Sequence, residues 1–389
     1  MRGLCDSYAA KHIEDTHGSY QRKNEDSRYM KVSKSVALLG EIPNKYKKRY
    51  KENGRADWIG VQEKDPTPIV YFSGTCASNE FPESAFVDMA HMRFRCLSYA
   101  YSGPGSPLFQ KRFLTSMKFC MDNNIRVFLD SGGYTFHEIN RKIAAGKAVK
   151  TFQNKEFSIE SYTANYVKYL KAMYGRKDTF DFYVGIDSIK QCKIIYEDFK
   201  ELESTGVRPI PVYHGDAPID WVQRYIDEGH RIIGIGLDRL GKSNKFRLRQ
   251  YYSHVLNYCE KRGVKCHGFA VTGDLMFEFP FYSVDSTSWV KAAAYGKIID
   301  WRADKHRVAL IHVSNESKGK LLMTSLGKVP KQSFRELRER TEALGFDLEL
   351  LQRSFHYRCL YNARVTNEAI TQNQANLLKW KNWGSVLDV

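Results

Sequence analysis

From Pro66 onward, short apolar runs rich in β-branched and aromatic residues alternate with longer stretches whose apolar residues recur three or four apart. That is the pattern of repeated strand–helix units. The runs predict strands over 68–72, 95–100, 125–130, 181–187, 208–214, 231–236, 265–271 and 281–285. Helical spacing falls between most of them, at 107–123, 158–174, 189–204, 217–229 and 245–262. Eight parallel strands with intervening helices predict an α/β fold, a TIM (β/α)8 barrel over 66–296. An open doubly wound sheet is the rival, but no Gly-rich dinucleotide fingerprint follows the first strand. Residues 297–325 alternate like a hairpin and 331–382 are helical in pattern. The expected organisation is therefore an extension at 1–65, a barrel at 66–296 and a hairpin with a helical addition at 297–389.

Where strands end matters in such a barrel, because its active sites are built at the C-terminal face. Strand three ends in Asp130, followed by Ser131, Gly132, Gly133 and Tyr134. The glycines allow the backbone to come close to a ligand, and the tyrosine offers a ring beside it. Strand four is expected to end in Asp187 and strand eight in Asp285. Like charges held close raise at least one pKa, so one carboxyl can stay protonated while another remains an anion. Glycosidic bond cleavage uses that division of labour. Taken singly, each of these aspartates is equally well explained as a cap or turn residue. His214 after strand five, Gly236 after strand six and Phe269 in strand seven complete a set that would suit a flat purine. Read alone, Phe269 is core and Gly236 a turn.

Composition changes the picture in one respect. A hydrophobic fraction of 42% fits a chain with a sizeable core, and a formal net charge of +16 favours a polyanionic partner. The excess is spread over the chain rather than gathered in a tail. Local clusters stand out at Lys45, Lys47, Lys48 and Arg49, interleaved with Tyr46 and Tyr50, and in the connection after strand three at Arg141, Lys142, Lys147, Lys150 and Lys155. Cations beside aromatic rings suit nucleic acid, although a solvated extension explains the first cluster as well. The second is expected to form a loop opening on the catalytic face. Eight cysteines without a CxxC spacing indicate reduced thiols and a cytoplasmic setting. Neither a signal region nor a membrane-length apolar run is present, so no membrane partner is expected.

The motifs DSGGYT at 130–135, VGIDS ending at 188, YHG at 213–215, GIGLDRLG at 234–241, GFAVTGD at 268–274 and SVDSTSW at 283–289 occur in the order found in the tRNA-guanine transglycosylase family, which this stretch resembles. DSGGYT is similar to that family's DSGG(F/Y)Q signature. Within the superfamily the chain looks most like the phage-type DNA-guanine transglycosylases of the DpdA group, which would place it in the cytoplasm of an infected cell. The resemblance implies exchange of guanine in DNA for a free 7-deazaguanine such as preQ0, on a nucleotide flipped out of the helix. It aligns Asp285 with the nucleophile, Asp130 with the general acid/base and Asp187 with the residue that reads the guanine edge. Tyr134 and Phe269 align with the stacking pair, and His214 and Gly236 with further base contacts. Two departures stand out. Residues 286–358 contain no cysteine, so the CxCxxC…His zinc motif of the tRNA enzymes is missing and no zinc or other cofactor is expected. His306, His312, His356 and Cys359 would be the material for any replacement, though each is more simply an ordinary exposed or core side chain. Thr135 and His214 also stand where the family has glutamines. Alternatives retaining part of this reading are a tRNA-guanine transglycosylase without zinc, a non-catalytic nucleic-acid-binding relative, and a barrel hydrolase of free nucleosides.

Overall fold

The computed structural model describes residues 68–74, 82–102, 107–146, 159–174, 180–186, 192–206, 208–214, 217–236, 245–271, 273–302, 307–315 and 334–372. Eight strands form one all-parallel sheet: β1 (Ile69–Ser73), β2 (Phe94–Ser98), β3 (Arg126–Asp130), β4 (Phe182–Tyr183), β5 (Val212–His214), β6 (Ile232–Gly236), β7 (Lys265–Gly268) and β8 (Ser283–Ser286). The order is β4-β3-β2-β1-β8-β7-β6-β5, so β1 lies in the middle between β2 and β8. The sheet curls until its two outer strands meet at one parallel bridge, Val184 with Ile210. Gly185 N–H donates to the Ile210 carbonyl at 3.0 Å, and Ile210 N–H donates to the Tyr183 carbonyl at 2.8 Å. This is an α/β, TIM-like architecture with its strands in the expected places.

β5 is preceded by Pro209-Ile210-Pro211, whose backbone groups alternate between the two neighbouring strands. Ile210 turns its N–H and carbonyl towards β4, and Pro211 turns its carbonyl to Gly234 N–H of β6. The prolines therefore remove donors on the β6 side, which delays the start of the β5–β6 ladder to Val212. The expected seven-residue strands at 181–187 and 208–214 are pared to short regular pieces.

Helices cover the outside: α1 (Glu83–Asp88), α2 (Pro107–Asp122), α3 (Gly133–Ala144), α4 (Ile159–Tyr174), α5 (Cys192–Ser204), α6 (Asp220–Asp227), α7 (Lys245–Glu260), α8 (Leu275–Glu278) and α9 (Ser288–Ala294). Strands buried on both faces need apolar residues at every position, which explains the continuous runs read from the sequence. β1 shows the division. Ile69 and Tyr71 join the interior cluster with Phe94, Phe128, Phe182 and Val212, whereas Val70 and Phe72 pack outward under the helices. The interior is aromatic, with Tyr71 meeting Phe94, Phe128 and Phe182 edge-on at centroid separations of 5.4–5.7 Å.

After β8 the chain forms the expected antiparallel hairpin, β9 (Lys297–Arg302) with β10 (Arg307–His312), then helices α10 (Phe334–Ala343), α11 (Leu348–Arg353) and α12 (Phe355–Gln372). Two buried polar side chains join these elements to α9. Asn362 accepts from Ile299 N–H at 2.7 Å and donates to the Trp289 carbonyl at 2.9 Å. Arg358 donates to the carbonyls of Ala293 at 3.1 Å and Leu351 at 2.9 Å. The segment is thereby fastened directly behind the strand that carries Asp285. No helix among the described residues is long and apolar enough to cross a membrane.

Candidate active site

Asp285 projects from β8, next to β1, with its side chain 16% exposed. Two neighbouring strands contribute to holding it. Ser73, at the tip of β1, donates its hydroxyl to Oδ2 at 2.9 Å. Ala270 N–H, just beyond β7, donates to Oδ1 at 3.0 Å. His267 in β7 points Nε2 at the same Oδ1 from 3.6 Å. Ser73 is itself fixed, because Trp289 of α9 donates its indole N–H to the Ser73 carbonyl at 2.9 Å. Ala270 adopts φ +52°, a left-handed conformation that costs a non-glycine residue on the order of 1–2 kcal/mol, and this turn aims its N–H at the carboxylate.

Asp130 ends β3, paired in register with Ser98 of β2. Gly132 N–H donates to its Oδ2 at 3.1 Å. Gly132 has φ +75°, and a Cβ there would lie 2.5 Å from the Ala100 methyl and 2.8 Å from the Tyr162 hydroxyl, so only glycine fits. The turn leads straight into α3, which begins at Gly133 and puts the positive end of its dipole beside Asp130. Ser131 is fully buried, its carbonyl accepting from the Tyr162 hydroxyl at 2.5 Å. Burial raises the Tyr162 phenol well above its ordinary value, and the Asp130 charge pushes it the same way.

One residue links the two aspartates. Cys96 of β2 lies in register with Ser73. Burial drives its thiol well above the ordinary range, and the charges of Asp285 and then Asp130 add to the rise. Hydrogen bonding from Ser73 and from the Asp130 backbone pulls more weakly in the other direction. Both carboxylates therefore face one protonated thiol, across a wall segment three strand spacings wide, each spacing roughly 4.8 Å.

His214 and Gly236 are neighbours in register, and a Cβ on Gly236 would come within 3.0 Å of the His214 ring. Phe269 is half-buried at the mouth of the interior. Its ring lies on Gly234, where a Cβ would be 2.4 Å away, and meets His267 edge-on at 4.7 Å. Tyr134 stands 58% exposed in the first turn of α3. A cleft lined by Ile195, Val212, His214, Ala217 and Trp221 opens on the β5 side, away from both aspartates.

Asp187, Lys147, Lys150, Lys155 and the cluster Lys45, Lys47, Lys48 and Arg49 lie outside the described residues, as does His306. Arg141 and Lys142 correct an expectation: they belong to helix, not loop. They occupy the last turn of α3, roughly 12 Å along its axis from Gly133, and Arg141 is paired with Glu138 at 2.8 Å. The helix was discernible in the spacing of Phe136, Ile139 and Ile143. Ser73, Cys96, His267 and Ala270 were not anticipated as site residues. Their signal was polarity, since a serine, a cysteine and a histidine interrupt strands that are otherwise apolar.

Among the described residues, one group of three ligand-type side chains lies within the span of a metal ion: Glu203, Glu228 and His230. Lys200 answers its charge, with Nζ 2.7 Å from Glu203 and 3.2 Å from Glu228. Burial would raise the Glu203 carboxyl, but hydrogen bonds from His230 and Lys200 outweigh it and hold it below the usual value. The group is an ion-pair network on the outer layer.

Compared with known proteins, the chain matches no family model and no curated protein.

Proposed function

We propose that this protein is a guanine transglycosylase that exchanges guanine in DNA for a 7-deazaguanine base through a covalent intermediate on Asp285. The observation that carries the reading is the setting of Asp285, held among the described residues by a hydroxyl and a backbone N–H with a histidine nitrogen 3.6 Å away, on the strand-end face where β3 ends in Asp130. Neutral donors orient a carboxylate without neutralising it, as a nucleophile requires.

In this mechanism Asp285 attacks C1′ of a deoxyguanosine turned out of the duplex. The C1′–N9 bond breaks, and the departing guanine keeps its electron pair and takes a proton from Asp130. The 7-deazaguanine then enters the same place. Asp130 removes its N9 proton as N9 attacks C1′, the ester to Asp285 breaks, and two inversions leave the configuration retained. Thr135, near the start of α3, and the exposed Tyr134 would meet the incoming nucleotide. Flipping a base costs a few kcal/mol, recovered from stacking in the pocket and from phosphate contacts by this strongly basic chain.

The test is to incubate the protein with duplex DNA, single-stranded DNA or tRNA, each with labelled guanine or labelled preQ0, and to repeat it with Asp285→Ala. Label entering DNA alone, and lost in the variant, supports the proposal. Label entering tRNA alone moves the same chemistry to RNA. Label entering none of them rejects the transferase and leaves a nucleic-acid-binding relative.

A further inference from the structure

His267 is a buried polar side chain that the proposed chemistry does not yet employ. The residue has no exposed surface. Aromatic rings surround it, with Phe128 at 4.8 Å, Phe182 at 5.2 Å, Phe269 at 4.7 Å and Tyr71 at 6.3 Å between centroids. Burying an imidazole among hydrocarbon is costly unless its nitrogens are satisfied. Nδ1 is satisfied, lying 2.8 Å from the Ser283 hydroxyl, itself fully buried in β8. Nε2 has no hydrogen-bond partner among the described residues and points at Asp285 Oδ1 from 3.6 Å.

We infer that His267 is a positioning residue for Asp285, held by Ser283 as the Nε2–H tautomer so that Oδ1 is anchored from below and Oδ2 is the oxygen that attacks. The inference rests on the transglycosylase reading for the attack, but not for the tautomer. If the Ser283 hydroxyl donates to Nδ1, the ring's proton must sit on Nε2, facing the carboxylate. The opposite tautomer would turn a lone pair towards an anion in a medium of low dielectric. A separation of 3.6 Å is long at rest, and hydrogen bonds in ligand-free sites commonly shorten once substrate is bound.

The two oxygens of Asp285 are then unequal. Oδ1 has one donor that cannot turn away, the Ala270 N–H, and the packed His267 ring stands 3.6 Å from it. Oδ2 has one, the Ser73 hydroxyl, which rotates freely about a single bond. When the Oδ2–C1′ bond forms and the C1′–N9 bond breaks, Oδ1 becomes the ester carbonyl, keeps the Ala270 N–H and faces His267 Nε2. Ser73 can release Oδ2 and turn towards Cys96, its register partner on β2. Among the described residues, the ionisable groups near this part of the interior include the Cys96 thiol, Asp130 beyond it, the Tyr282 phenol and the Tyr71 phenol below, which is committed to Asp181 at 2.6 Å and through it to Arg126. None of them competes for His267 Nε2.

The test combines a spectrum with a rate. Nitrogen-15 spectra of histidine-labelled full-length protein should show His267 as the neutral Nε2–H tautomer, with its Nε2 resonance displaced by Asp285→Asn and its tautomer mixed by Ser283→Ala. In single-turnover reactions with guanine-containing DNA, His267→Leu should slow formation of the covalent adduct by about 10–100-fold while DNA binding is unchanged. His267→Gln, which keeps an N–H at similar reach, should recover most of the rate. An Nδ1–H tautomer, a resonance indifferent to Asp285→Asn, or a His267→Leu rate equal to wild type would overturn the inference. A wild-type protein that forms no adduct on any nucleic acid would defeat the base-exchange reading instead, and the tautomer would still decide whether His267 holds Asp285.

Discussion

Two ends of the same barrel treat their carboxylates in opposite ways. At the end where the strands begin, Asp181 has a side chain 1% exposed, and it is closed off by Arg126 at 2.9 Å and the Tyr71 hydroxyl at 2.6 Å. The C-terminal segment repeats that solution, Asp300 being paired with Arg340 at 3.1 Å. At the end where the strands finish, Asp285 is more open, with its side chain 16% exposed, and is met by a serine, a backbone N–H and a histidine. A guanidinium neutralises a buried carboxylate and makes it part of the scaffold. Neutral donors leave the charge available. Under the proposed function, the contrast distinguishes aspartates that serve folding from those that would serve chemistry.

The sharpest way to break this contrast is at Asp130, the other carboxylate of the working end. Asp130→Asn should lower base exchange by about 10²–10⁴-fold, since the proton transfer to and from N9 is lost, with the thermal midpoint little changed. A large fall in stability with exchange intact would place Asp130 in the scaffold. The reverse pattern is expected at the other end. Arg126→Ala strands Asp181 in the interior and should cost about 3–5 kcal/mol in denaturant unfolding. If the fold survives, any remaining exchange should keep its ratio of kcat to KM.

Between these lies the turn that joins strand to site. Gly132→Ala forces a left-handed residue and drives a methyl group into Ala100, so a loss of at least about 1–3 kcal/mol is expected, together with displacement of the N–H that holds Asp130. Calorimetry and the exchange rate should both register it. The smallest effect belongs to the outer ion-pair network. The folded state holds the Glu203 carboxyl below its unfolded value, so its contribution is present above the unfolded value and disappears as pH falls through the folded one. Glu203→Gln should therefore cost at most about 1 kcal/mol at neutral pH, after allowing for solvent screening, and nothing in acid below the carboxylate range. A difference that persisted in acid would show that the side chain acts by packing instead.

Most of the scaffold was legible because strands buried on two faces announce themselves as unbroken apolar runs, and their lengths separate them from the helices between. β3 and β6 lie within a residue of expectation. The pieces that were not legible have local causes. β5 starts late because the prolines at 209 and 211 have no N–H to donate towards β6. The body of α3 keeps helical spacing at Phe136, Ile139 and Ile143, but its start was masked because it follows a left-handed glycine without a Ser, Thr or Asp cap. At the site, Asp130 and Asp285 could be found as polar residues closing apolar strands. Ser73, Cys96 and His267 could not, because which strand tips share a layer is a property of barrel closure and stagger rather than of any one segment.

The claim underlying the whole account is that Asp285 is a nucleophile and not a structural carboxylate. The most direct measurement is the intact mass of the protein after rapid acid quenching of a reaction with guanine-containing DNA, followed by digestion and peptide sequencing. The account predicts a deoxyribosyl-linked DNA adduct on the peptide bearing Asp285 in the wild type, chased away by added 7-deazaguanine and missing from Asp285→Asn. Full exchange activity in Asp285→Asn, or an adduct on a different residue, would contradict it.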